Sequence, residues 1–220
     1  MNYLLISIGF LSLNASAQQL SDFIAPASYT KVLETKGDLD KDGTEEIVYV
    51  YNTDKQKGQA GFFRELYICK IIDGKVKLWR KNASVLRNSK DCGFCGDTVN
   101  NLSVSIKNNT LVIKQTFQHS TKHTSSSKNI FRYQNGDWFL IGSTSEDGYT
   151  CDFNFKYDVN FSTKQVGIKK TYEDCETEKE IPKDSFYSFK YPFKEIPKMD
   201  GFKPGKVEHN IGNSKNYFYY

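Results

Sequence analysis

Hydrophobic and polar positions alternate along most of the chain with a period of two, the spacing of strands that bury one face. The cleanest run is Phe153, Phe155, Tyr157, Val159 and Phe161, interleaved with Asp152, Asn154, Lys156, Asp158 and Asn160. Leu102, Val104 and Ile106 alternate with Ser103 and Ser105, and residues 47–51, 64–72, 110–117, 130–133 and 138–141 are rich in β-branched and aromatic side chains. Asn108-Asn109 and Asn135-Gly136 stand between such runs and suit tight hairpin turns. After Ser162-Thr163-Lys164, the apolar face resumes at Val166, Ile168 and Tyr172. Pairing Phe161 with Val166 keeps both apolar sets on one side, whereas a slip by one residue puts one set in water.

Residues 18–36 have room for a short helix at 20–24, which Pro26 interrupts. From Ile181 on, Pro182, Pro192, Pro197 and Pro204 point to irregular chain, laid over the sheet by Phe186, Phe189, Tyr191, Phe193 and Phe202. Tyr217, Phe218, Tyr219 and Tyr220 are expected as a last strand docked on it. No fixed repeat and no linker composition divides the chain. The expected fold is all-β, with antiparallel hairpins forming one sandwich- or barrel-like domain over residues 18–220.

Composition supplies the core and excludes disorder: 16 Phe, 14 Tyr and 2 Trp are ample apolar material. The net charge of +4 is mild and evenly spread, so no nucleic-acid partner is expected. Residues 3–13 form an apolar run too short to span a bilayer, followed by Asn14-Ala15-Ser16-Ala17. Small residues at Ala15 and Ala17 are what a signal peptidase reads, so residues 1–17 are expected to be a signal peptide. No later run approaches a membrane span, and the mature chain is expected to be exported, periplasmic or secreted. All five cysteines lie beyond that segment, where disulfides are the default. The hairpin register brings Cys151 within one position of Cys175, and a disulfide closing the open end of that hairpin is expected. The odd count leaves at least one thiol without an intramolecular partner.

Gly37-Asp38-Leu39-Asp40-Lys41-Asp42-Gly43-Thr44-Glu45-Glu46 is the segment with the most chemistry. Asp38, Asp40 and Asp42 at alternate positions, with Gly43 permitting a sharp bend, fold three carboxylates around one hard cation, for which Ca²⁺ is the natural match. The backbone carbonyl of Thr44 and the side chain of Glu46 are the next expected ligands. This is not an EF-hand: position twelve of the loop is Tyr49, where that motif needs a bidentate Glu, and the flank is strand-like. The loop resembles the calcium loops of integrin-type FG-GAP (VCBS-type) repeats, in which D-x-D-x-D-G-x-x-D leads into a strand. Glu46 departs from that pattern by standing where Asp is usual. With Cys92-Gly93-Phe94-Cys95-Gly96-Asp97, Phe131-Arg132-Tyr133-Gln134-Asn135-Gly136-Asp137-Trp138, Leu140-Ile141-Gly142 and Phe161-Ser162-Thr163, the likeness extends over residues 37–172. It is to a group of uncharacterised bacterial exported proteins, and implies export and a β-rich fold but no activity. A propeller is not expected, because one acidic loop and this length make too few blades.

Cys92 and Cys95 have thiol-redox spacing but sit in a turn-like, glycine-rich context, which favours structural use over exchange chemistry. His119 and His123 would share one face of a strand or helix. Two histidines are too few for a zinc site, and Ser120, Thr121 and Lys122 suggest exposed surface. No nucleophile elbow, phosphate loop or His-Glu-x-x-His is present. The expected function is that of an exported, calcium-stabilised, non-enzymatic binding module for a protein or glycan partner. The alternatives are an exported hydrolase of glycans or peptides, and a thiol–disulfide protein using Cys92 and Cys95.

Overall fold

The computed structural model describes residues 19–94, 101–176, 180–211 and 217–220; the expected signal peptide and Cys95 lie outside them. The fold is all-β. Four strands, β1 (Thr30–Gly37), β2 (Glu46–Gln56), β3 (Phe62–Ile72) and β4 (Lys75–Asn82), form one antiparallel sheet in chain order. Seven more form a second: β5 (Leu102–Lys107), β6 (Thr110–Gln118), β7 (His123–Gln134), β8 (Asp137–Tyr149), β9 (Phe153–Asn160), β10 (Gln165–Tyr172) and β11 (Ser185–Lys190), again in chain order. A two-stranded ribbon, β12 (Glu208–Asn210) with β13 (Tyr217–Tyr219), completes the described residues. Among them, no helix is long and apolar enough to cross a membrane.

Tight turns set the hairpins. Asn108 (φ 50°) and Asn109 (φ 56°) join Lys107 to its partner Thr110, and Asn135 (φ 51°) and Gly136 (φ 80°) join Gln134 to Asp137. Positive φ at both central residues matches the right-handed twist of the flanking strands. One core lies between the two larger sheets, with Val48, Val50, Leu66 and Ile68 from the first and Leu111, Ile113, Phe131 and Leu140 from the second. The far face of the four-stranded sheet is also covered: Tyr51, Tyr67 and Cys69 pack under Phe23 and Tyr29. Burial on both faces explains why residues 47–51 read as a continuous apolar run.

Three expectations are corrected. Residues 20–24 form no helix: the Phe23 N–H donates to Val76 O (2.9 Å) and the Leu78 N–H to Ser21 O (2.9 Å), so pairing with β4 overrides local preference. The C-terminal part is less irregular than its prolines suggest, since β11 pairs with β10 from Gln165↔Lys190 to Lys170↔Ser185. Phe186 on that strand is 71% exposed and so does not dock on the core. Finally, β9 and β10 pair two residues away from the expected register, with Val159 opposite Val166. The shift is even, so the buried faces still coincide, and Phe161 enters the core from the turn. Tyr217–Tyr219 pairs with β12, and Phe218 and Tyr220 are buried in the core.

Candidate functional site

The acidic loop, residues 38–45, is the connection of the β1–β2 hairpin. Its own carboxylates shape it. Asp38 accepts the N–H of Lys41 (2.6 Å) on one oxygen and that of Gly43 (3.3 Å) on the other, while Asp42 accepts the N–H of Thr44 (2.7 Å). Lys41 (φ 68°) and Gly43 (φ 83°) take left-handed backbone, which wraps the chain around Asp38. Gly37 is needed for close approach: a Cβ there would lie 2.8 Å from the Ile106 side chain. Asn109 Nδ2 donates to the Asp38 carbonyl (2.9 Å) and ties the loop to the β5–β6 turn. As a result Asp38, Asp40 and Asp42 each present a carboxylate oxygen within 4.8 Å of the others. Thr44 is exposed, and Glu46, only 1% exposed, accepts the Leu39 N–H on Oε2 (2.7 Å).

Lys70 was not foreseen beside the acidic loop. This β3 residue lies one step beyond the Ile47↔Cys69 pair, which sets it across from Glu46. Its ammonium bonds Asp40, and stands 3.3 Å from Asp42 Oδ2 and 3.6 Å from Glu46 Oε1, over the ring of Trp79. Burial opposes the charge on Lys70, but the hydrogen bond and charge of Asp40, with Glu46 and Asp42, outweigh it and hold the pKa above its ordinary value. Burial pushes Glu46 up, reinforced by Asp40 and Asp42 and opposed by the Leu39 N–H and Lys70. The Thr44 N–H, foremost, holds Asp42 down. The donor set suits a hard cation, and Asp40 Oδ1 is buried with no hydrogen-bond partner among the described residues. Lys70 is the cation these carboxylates meet in the structure.

A second constellation lies on the seven-stranded sheet. Strands β7 and β8 are long, and their inward-facing residues change character along the sheet, from Phe131 and Leu140 in the core to Asn129, Ser127, Ser143 and Ser145. Farther on, the same face carries Ser125, His123 and Asp147. Here an open cleft of about 870 Å³ is lined by these groups together with Phe63, Arg87, Phe117, His119 and Tyr219. Ser127 and Ser145 face each other across β7 and β8, at 6% and 2% exposure, and neither hydroxyl has a hydrogen-bond partner among the described residues. His123 Nε2 lies 2.7 Å from Asp147 Oδ1, and His119 Nε2 lies 2.9 Å from Ser125 Oγ. The two imidazoles stack with centroids 4.2 Å apart. Burial, then the neighbouring His123, depresses the pKa of His119. Asp147 was not foreseen beside the histidines, because only the β7–β8 register brings it there.

Gly93 braces the cleft's edge: the Phe94 N–H donates to Gln118 O (2.8 Å) and the Gln118 N–H to Cys92 O (2.9 Å). At φ 69°, a Cβ on Gly93 would stand 2.0 Å from the Gln118 carbonyl oxygen. Cys92 is disulfide-bonded. Cys151 and Cys175 form the expected bridge. Cys69 is a buried free thiol whose pKa burial pushes up to about 12, which disfavours the thiolate at neutral pH. The chain matches no described protein family, no curated protein and no solved structure.

Proposed function

We propose that this chain is an exported, non-enzymatic binding module, stabilised by Ca²⁺ at the acidic loop, whose ligand is a glycan held in the cleft of the seven-stranded sheet. Asp38, Asp40, Asp42, the Thr44 carbonyl and Glu46 would hold the ion, whose part is structural: it neutralises the carboxylates where the chain enters β2. The observation that carries the glycan reading is the open cleft itself, whose wall presents Ser125, His123 and Asp147 beside Phe63 and Phe117, with Ser127 and Ser145 buried beneath them. The polar groups at the wall can donate to and accept from sugar hydroxyls, and Phe63 and Phe117 supply apolar faces for the C–H side of a ring.

Calorimetry with soluble oligosaccharides from chitin, cellulose and peptidoglycan tests this. At least one should bind, and Ser125→Ala or Phe63→Ala should each weaken it roughly tenfold, the worth of about one hydrogen bond or one ring contact. Circular dichroism and Tm of both variants establish that they fold. No binding at millimolar sugar, or binding indifferent to both substitutions, sinks the reading.

The hydrolase reading draws on the His123–Asp147 pair, an imidazole oriented by a carboxylate in the same cleft. Ser125, however, bonds His119 and not the carboxylate-paired ring, so hydroxyl and oriented base sit on different imidazoles. Product formation from the same oligosaccharides, abolished by His123→Ala, would favour it over simple binding.

A further inference from the structure

We propose that His119, His123 and Asp147 form a binding site for one divalent transition-metal ion of the Zn²⁺ class, at the edge of the sheet cleft. Two strands and the turn between β6 and β7 bring one ligand each. His119 follows β6, His123 opens β7, and Asp147 lies on β8 opposite Ser125, one inward-facing position along from His123. The His119 N–H donates to the His123 carbonyl (2.8 Å), so backbone pairing holds the two imidazoles side by side. One ring nitrogen from each histidine and one Asp147 oxygen lie within 4.8 Å of one another, close enough for small side-chain rotations to close them on a single ion. Two imidazoles and one carboxylate are the donors of a borderline metal, whereas Ca²⁺ takes oxygen ligands throughout. The site is thus chemically distinct from the acidic loop, whose close group is three aspartates.

The surroundings support the assignment. The ligands are half-exposed at the wall of an open cleft, so an ion has a path in, and three protein ligands leave a fourth position facing the cleft for water or a ligand atom. Ser125 Oγ, 2.9 Å from His119 Nε2, adds a polar neighbour to the group. The site does not depend on the glycan reading: a metal can bind here whether or not a sugar enters.

The test uses the full mature chain without a histidine tag, stripped with chelator. Calorimetry with Zn²⁺ and absorption spectroscopy with Co²⁺ should both report one equivalent bound, the Co²⁺ form showing d–d bands of a low-coordinate nitrogen/oxygen site. His119→Gln and Asp147→Asn should each weaken Zn²⁺ binding by roughly a hundredfold, as loss of one of three ligands implies. Asp42→Asn, in the acidic loop, should leave it unchanged, and excess Ca²⁺ should not compete. Circular dichroism and Tm of the stripped variants establish that they fold. Sub-stoichiometric binding, or one equivalent that persists in both His119→Gln and Asp147→Asn, overturns the proposal, and so does displacement by Ca²⁺.

Discussion

At the scale of single residues, the position of Lys70 decides how the acidic loop behaves. Carboxylates crowded into a few residues repel one another unless a cation stands among them. The chain supplies one from β3, in contact with Asp40 and near Asp42 and the buried Glu46. Removing one partner of a largely buried ion pair leaves the other charge uncompensated, at a cost of about 3 kcal/mol. Lys70→Met should therefore lower stability by about that amount in chelator, measured by urea unfolding. A Ca²⁺ ion held as proposed would compete with the ammonium for the same carboxylates, so millimolar Ca²⁺ should raise the Tm of Lys70→Met by more than it raises that of the parent. A variant as stable as the parent, with no response to Ca²⁺, would mean that the loop needs no cation of either kind.

At the scale of elements, the β9–β10 hairpin carries the clearest energetic expectation. The Cys151–Cys175 bridge spans 24 residues of sequence and closes the open end of the hairpin beyond Phe153↔Tyr172. Tethering a loop of that length removes entropy from the unfolded chain worth about 3 kcal/mol. Cys151→Ser/Cys175→Ser should thus lose about 2–3 kcal/mol in urea unfolding while keeping its far-ultraviolet spectrum, since eight ladder pairs still hold the strands. This hairpin also marks where legibility ends. Alternation fixed which residues face the core, and so the parity of the register, but the turn depends on Lys164 taking φ 58°, an unusual state for a non-glycine residue. Pattern cannot announce that choice. β1 was illegible for another reason: it is an edge strand, mostly exposed, with a register shift between Lys31 and Leu33 that breaks its alternation. It is ordered by pairing with β2 more than by its own side chains. Likewise the aspartates of the loop were readable because they are neighbours in sequence. Lys70 and Asp147 were not, because each reaches its partners only through strand pairing.

At the scale of the whole molecule, the C-terminal ribbon closes the core, and the surroundings of His209 predict that its contribution depends on pH. Its Nδ1 lies 3.1 Å from the Tyr191 hydroxyl and its Nε2 3.1 Å from that of Tyr220, while the ring stacks on Phe218 and Tyr220. Phe218 and Tyr220 are themselves buried beside Phe193 and Phe161. Burial holds the His209 pKa below its ordinary value of 6.5. The folded chain therefore resists a proton that the unfolded chain accepts, so the contribution is fully present above pH 6.5. It is lost as pH falls from there through the depressed folded value, with a slope of at most about 1.4 kcal/mol per pH unit for one proton. His209→Phe keeps an aromatic ring in the stack but cannot titrate. It should be less stable than the parent at pH 8, having lost two hydrogen bonds to tyrosine hydroxyls, yet its unfolding free energy should fall less steeply between pH 7 and pH 5. The slope separates the two effects, because a missing hydrogen bond lowers stability at every pH whereas only a titrating imidazole bends the curve. Parallel curves for parent and variant over that interval would show that the ribbon opens, or the ring rehydrates, before the proton arrives.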